Sequence, residues 1–223
     1  MNSEHVNNTA RIGGYSALIG GIAMLVGGAL FGASGADLWA ALVSGDMAGY
    51  LAAAGEAKTL LVVSHTVWIL GALTLGMAGA MMAEMCGPRR VWTQAALVCF
   101  RTGVTLAIFS FIAMLSLVTQ IAPDTSATAV FIAKVVGWIG ARADDLATAL
   151  IVGAGPLFIS LSGRKDWVPK WLLTWSYLTG IVGLFSLLVL YIPALAASAI
   201  IIVPVGIGWM IAAGVVLLRL PKS

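Results

Sequence analysis

Charged residues are scarce in this chain: Asp, Glu, Lys and Arg make up 9% of its 223 residues, whereas 61% are hydrophobic. This composition and a mean hydropathy of +1.03 exclude a water-soluble globule of this length. The net charge of only +3 gives no indication of a nucleic-acid-binding surface. The sequence therefore predicts an all-α polytopic integral membrane protein, with one membrane domain over residues 1–223.

Residues that perform chemistry are also few. The chain has two cysteines and two histidines, and it contains no Gly-x-Ser-x-Gly elbow, phosphate loop or Cys-x-x-Cys pair. His65 is the only histidine within a predicted span, which excludes a bis-histidine haem, and it has no neighbouring ligand for a metal site. Nothing in the sequence supports catalysis. We expect no catalytic residue, no cofactor and no metal.

What the chain has in abundance is long apolar segments. Crossing a bilayer takes about 20 such residues, and six segments qualify, approximately residues 12–33, 59–83, 93–121, 143–162, 171–192 and 197–219. The polar stretch after the first span keeps enough Leu, Trp and Val to predict one or two short helices on the outer interface. The segment before the fourth span forms either another interfacial helix or an outward extension of that span.

The distribution of basic residues predicts the orientation, because short cytoplasmic loops are enriched in Lys and Arg. One side of the predicted membrane holds eight of them: Arg11, Arg89, Arg90, Arg164, Lys165, Lys170, Arg219 and Lys222. The other side holds only Lys58, Lys134 and Arg142. Both termini are therefore predicted to be cytoplasmic.

Arg101 is the one basic residue predicted to lie inside the membrane. It lies about eight residues, roughly 12 Å, inside the cytoplasmic end of the third span. A charge at this depth is costly and by default suggests function. Thr174 and Tyr177 fall at comparable depth, and Glu84 closes the cytoplasmic end of the second helix. We therefore predict an intramembrane polar site in which Glu84 and Tyr177 hold Arg101. The alternative is an arginine that snorkels to lipid phosphate.

A second polar group is predicted in the outer half of the membrane and comprises His65, Arg142, Asp144 and Asp145. If the fourth span begins at residue 143, both aspartates fall in the first turn of a helix, where the macrodipole favours them. We favour that structural interpretation over a functional one. We also favour a buried, hydrogen-bonded His65 over a proton carrier.

Glycine pairs recur every seven residues in the first span, so that Gly13, Gly20 and Gly27 line one stripe of the helix. Such a stripe lets another backbone approach closely. We favour a partner helix in the same chain, and a protein partner or a second copy of the chain is the alternative. Pro156 and Pro204, each beside glycines, predict kinks or local unwinding.

Three segments together resemble an uncharacterised bacterial family of six-helix membrane proteins, domain of unknown function 4386: "TARIGGYSALIGGIA", "ALVCFRTGV" and "VPKWLLTWSYLTGIVG". The family has an Ala-Arg-Ile-x-Gly lead, an arginine early in the third helix and a Pro-x-Trp-Leu step before the fifth. Arg101, Pro169 and Trp171 match these features. The resemblance implies a six-helix fold in a bacterial inner membrane, and it implies no activity.

Two classes of function remain. The first is a non-catalytic scaffold or accessory subunit that contacts the lipid bilayer. This class stays ahead because residues 12–121 and 143–219 show no internal similarity of the kind that the inverted repeats of transporters have. The second is a small-molecule or ion-handling protein, a transporter or a ligand-binding protein, that uses Arg101.

Overall fold

The computed structural model describes residues 3–87, 90–192, 195 and 202–220, and these residues are almost entirely helical. The helices are, in chain order, α1 (Ser3–Ser34), α2 (Leu38–Ser44), α3 (Met47–Glu56), α4 (Lys58–Cys86), α5 (Val91–Ser116), α6 (Ala127–Thr148), α7 (Gly155–Gly163), α8 (Lys170–Val189) and α9 (Ile202–Leu218). Two π-helical segments, Leu117–Ile121 and Ala149–Ala154, continue α5 and α6. The predicted all-α class is confirmed for the described residues.

Five of these helices are long and apolar enough to cross a membrane: Glu4–Ala33, Lys58–Cys86, Val91–Ile121, Ala127–Gly163 and Lys170–Val189. The predicted sixth span, residues 197–219, includes α9, an apolar helix of 17 residues. Residues 197–201 of that span lie outside the described residues, as do Arg89 and Lys222.

The fourth long helix, Ala127–Gly163, differs most from the prediction, and we call it the central helix. The Ser126 hydroxyl caps its first turn by accepting a hydrogen bond from the Ala129 N–H (3.3 Å). Of the two alternatives for the segment before residue 143, the structure has the second, an extension of the helix that forms the fourth span. The π segment Ala149–Ala154 precedes Pro156, which has no N–H to continue the α-helical pattern.

The central helix occupies the middle of the bundle. In its most apolar stretch 61% of the residues are buried, against 28% to 39% in the other four long helices. α5, α8 and α9 pack against the central helix, and α4 contacts its last part, α7. α1 packs against α4 and α9. A polar residue on its inward face is consequently enclosed by helices.

The predicted glycine stripe faces α4 of the same chain. A Cβ atom on Gly13 would lie 2.9 Å from Met81 Cβ, and one on Gly27 would lie 2.5 Å from Trp68 Cδ1. These distances are shorter than ordinary contacts, so the two helices approach as closely as they do because the stripe has no side chains.

The polar stretch between α1 and α4 forms two short helices, α2 and α3. Asp37 and Asp46 cap them by accepting hydrogen bonds from backbone N–H groups three residues on (3.0 and 2.9 Å). Gly45 ends α2 in the left-handed conformation, at φ 85°. Both helices pack against the outer part of the central helix.

Candidate functional site

Arg101 does not form the predicted intramembrane site. Its side chain is exposed, and its guanidinium makes no hydrogen bond or ion pair with any described residue. Glu84 instead accepts a hydrogen bond from His5, with Nε2 and Oε1 2.7 Å apart. Tyr177 and Thr174 are exposed on α8, and the Thr174 hydroxyl donates to the Lys170 carbonyl within its own helix (3.1 Å).

The rotation of α5 explains this difference. Its buried face includes Phe100, which contacts α4 and the central helix, and Gly103, which contacts the central helix. Arg101 lies about 100° around the helix from Phe100, on the same outward side as Ile112, which is 51% exposed. In a bilayer this side would face lipid, and the arginine would reach headgroups by snorkelling.

The outer polar group, by contrast, contains a close ion pair on the central helix. Arg142 donates to Asp145 at 3.0 Å and to the Val189 carbonyl at the end of α8 at 2.6 Å. The guanidinium also lies 4.7 Å from the centre of the Trp138 ring. Asp145 is buried, and the gap beside the pair has room for about one water molecule. The pair is thus satisfied within the chain.

Asp144 and Asp145 are not first-turn residues. The central helix begins at Ala127, so both aspartates lie about five turns into it, where no N-terminal dipole favours them. The sequence-based interpretation was wrong because it began the helix at residue 143.

Asp144 points to the interior of the bundle. On the same helix Gly140 faces α5, Arg142 faces α8 and Val152 faces α9. At about 100° per residue, Asp144 lies about 40° around the helix from Gly140 and about 60° from the buried Ala147, both of which face α5. The side chain is half-buried and makes no hydrogen bond or ion pair with any described residue.

His65 lies in an aromatic cluster in the same half of the bundle. Its ring is 1% exposed, 5.4 Å from the Trp68 ring and 6.3 Å from the Phe31 ring, and Trp68 stacks on Phe111 at 5.2 Å. Nδ1 donates to the Leu61 carbonyl (2.6 Å), which leaves Nε2 as the acceptor of the neutral ring. Nε2 has no hydrogen-bond partner among the described residues.

A polar cluster at the opposite end of the bundle has no counterpart in the sequence-based predictions. The Arg90 guanidinium donates to both carboxylate oxygens of Asp166 and to the Ser162 carbonyl (2.6 Å), and the Thr93 and Ser162 hydroxyls are hydrogen-bonded at 2.6 Å. The hydrogen bond to Asp166 raises the pKa of Arg90 above its usual value. This cluster ties the start of α5 to the segment after α7.

Among the described residues no three His, Cys, Asp or Glu side chains come together as metal ligands. Among the described residues the outer group therefore contains the Arg142–Asp145 ion pair, the Asp144 carboxyl without a partner and the buried His65 ring. Comparison with known protein families, curated proteins and solved structures returned no match. The resemblance to the six-helix bacterial family stays a prediction, and the function is argued from these residues.

Proposed function

We propose that the chain is an integral protein of a bacterial inner membrane, with six spans and cytoplasmic termini. Five long apolar helices and the apolar α9 support this proposal. His5 at the start of α1 pairs with Glu84 at the end of α4. At the same end of the bundle, Arg90 in the connection between α4 and α5 pairs with Asp166 in the connection between α7 and α8. Most basic residues lie at this end, which the positive-inside rule assigns to the cytoplasm.

Cysteine labelling tests the orientation. In a chain with Cys86 and Cys99 replaced by alanine, Ser44→Cys and Lys165→Cys place exposed thiols at opposite ends of the bundle. An impermeant maleimide added to intact cells should label Ser44→Cys and not Lys165→Cys. The reverse pattern would contradict the proposed orientation.

We further propose that the protein binds and moves a small cation, a proton or a metal cation, at Asp144. The observation that supports this function is the position of Asp144: an inward carboxyl, half-buried, without a partner among the described residues. Arg142 is already matched by Asp145, and no arginine or lysine among the described residues pairs with Asp144. An isolated carboxylate inside a membrane is costly, and binding a proton or another cation removes that cost.

The local helix geometry supports the same proposal. The π segment Ala149–Ala154 follows Asp144 by little more than one turn, and π segments are frequent at functional sites. At this segment the backbones of the central helix and α8 are in close contact, since a Cβ on Gly153 would lie 2.5 Å from the Gly183 Cα of α8. A small shift of the central helix against α8 would thus move Asp144 relative to the surrounding helices.

Ion flux into proteoliposomes tests this function. A potassium diffusion potential would drive cations inward, with an internal pH dye reporting protons and a sodium dye reporting sodium. We expect flux of one of these cations through the wild-type protein and none through Asp144→Asn. Asp124→Asn, at an exposed aspartate outside the long helices, is the matched control and should keep the flux. Equal flux in empty liposomes and wild-type proteoliposomes would contradict the proposal.

A scaffold or accessory subunit is the second candidate, and it is favoured by one observation. Arg142 and Asp145, an ion pair inside the bundle, satisfy each other beside a gap for only about one water molecule. On this alternative the pair fixes helix packing and Asp144 is a neutral core residue. Asp144→Asn would then leave every property of the protein unchanged, including its stability.

A further inference from the structure

A groove lies between the start of α1 and the end of α9, at the end of the bundle that carries most of the basic residues. Its volume is about 430 Å³, and it is lined by Asn7, Asn8, Ala10, Arg11, Tyr15, Leu217, Leu218 and Leu220. This volume falls within the range of small-molecule sites, about 300–1,000 Å³. The groove is separate from Asp144 and from the Arg142–Asp145 pair.

The lining of the groove is divided between a polar and an apolar side. α1 contributes the polar residues Arg11, Asn8 and Tyr15, whereas leucines come from the end of α9 and just after it. Arg11 is exposed and makes no ion pair with any described residue. A guanidinium without a carboxylate, beside hydroxyl and amide groups, suits a phosphate oxygen as its partner.

The position of the groove identifies the source of that phosphate. Arg11 precedes the apolar part of α1, and the outward side chains that follow, Ile12 and Ile19, are 48% and 57% exposed. With α1 in a membrane, as proposed above, Arg11 lies at the level of the headgroups while these isoleucines face acyl chains. Arg219, also exposed, adds positive charge at the same end of α9, and the cytoplasmic leaflet is negatively charged.

We propose that this groove binds one anionic phospholipid of the cytoplasmic leaflet. The phosphate lies against Arg11 and the Tyr15 hydroxyl, and an acyl chain follows the leucines of α9. The lipid thereby joins the first and last helices of the bundle. This inference rests on the proposed membrane location and does not depend on cation transport.

Native mass spectrometry of the purified full-length protein in detergent tests the site. The protein would be titrated with phosphatidylglycerol and, separately, with phosphatidylcholine of the same acyl chains. We expect one phosphatidylglycerol to bind with higher affinity than any phosphatidylcholine. Arg11→Gln should weaken that binding about fivefold, the effect of one basic residue at an anionic surface. Arg164→Gln, an exposed arginine at the same end but outside the groove, should bind as wild type does.

A second variant tests the groove itself. Asn8 is exposed on its rim, so Asn8→Trp should fill the groove without disturbing the core and should reduce binding of phosphatidylglycerol. Equal affinity for the two lipids, or wild-type affinity in both Arg11→Gln and Asn8→Trp, would overturn the proposal. If inorganic phosphate at millimolar concentration displaces the lipid, the groove is a free-phosphate site and the lipid assignment fails. The cysteine-labelling pattern described above identifies separately a failure of the membrane orientation.

Discussion

The contact between α1 and α4 allows a quantitative prediction, because two glycines within α1, Gly20 and Gly28, differ in what a side chain would meet. A Cβ on Gly20 would lie 2.7 Å from Thr74 Oγ1 and 2.8 Å from Leu75 Cγ. Carbon atoms in contact are about 3.5–4.0 Å apart. A Cβ on Gly28 would have no neighbour within 4 Å. Gly28→Ala is therefore a matched control for Gly20→Ala.

The expected magnitude follows from two opposing effects. Alanine in place of glycine stabilises a helix by about 1 kcal/mol at either position. Forcing a methyl group into a filled contact costs about 1–3 kcal/mol, and this cost applies only at Gly20. The gain in helix stability from alanine is the same in both variants and cancels when they are compared. Gly20→Ala should therefore be less stable than Gly28→Ala by about 1–3 kcal/mol. Gly20→Leu should lose more, because the larger side chain holds the α4 backbone away.

Thermal unfolding in one detergent, followed by tryptophan fluorescence, measures this difference. In a chain of this size 1 kcal/mol corresponds to about 2–4 °C in Tm, so we expect the two alanine variants to differ by several degrees. Equal Tm values for Gly20→Ala and Gly28→Ala would refute the close packing of the stripe against α4.

Three further predictions concern polar residues. Arg142→Ala leaves Asp145 buried without its cation, so we expect a loss of about 3–5 kcal/mol in thermal unfolding, and wild-type stability would contradict the burial of that pair. A double-mutant cycle of Arg101→Gln and Glu84→Gln should show no coupling in stability, since the two side chains do not meet; a coupling energy above about 0.5 kcal/mol would show that they do. Burial raises the pKa of Tyr50 to about 12, so the folded chain keeps this proton after the unfolded chain has lost it, and stability should fall as pH rises from about 10 toward 12. Tyr50→Phe should weaken that dependence in unfolding measured across this pH range, and an identical pH dependence would contradict the burial of the hydroxyl.

The sequence was sufficient to predict the helices whose apolar runs are uninterrupted, because helix formation in such a run depends on length and hydropathy. It was insufficient for the start of the central helix, where Lys134 and Arg142 interrupt the apolar pattern and suggest an interfacial segment. The structure extends the helix through this region, since Asp145 lies one turn after Arg142 and compensates its charge. Opposite charges three residues apart are a sequence signal that could have indicated a continuous helix.

The candidate site was less predictable than the helices. α5 is apolar on every side, so its sequence gives no stripe from which to infer that Arg101 faces outward. The partner of Glu84 was also missed, because His5 precedes the apolar run of α1 and meets α4 only when α1 begins at Ser3. The inward direction of Asp144 depends on the rotation of the central helix, which the contact of Gly140 with α5 and the burial of Ala147 establish and the sequence does not.

The most direct test of Asp144 is its reaction with a hydrophobic carbodiimide, which enters membranes and modifies carboxyl groups that bind a proton there. Peptide mass spectrometry of the treated protein would locate the adduct. We expect modification at Asp144, slower when the transported cation is present in excess, and no modification at Asp145, whose carboxylate is paired with Arg142. Modification of Asp145 with Asp144 untouched, or of neither residue, would contradict an interior, partner-free carboxyl as the site of cation binding.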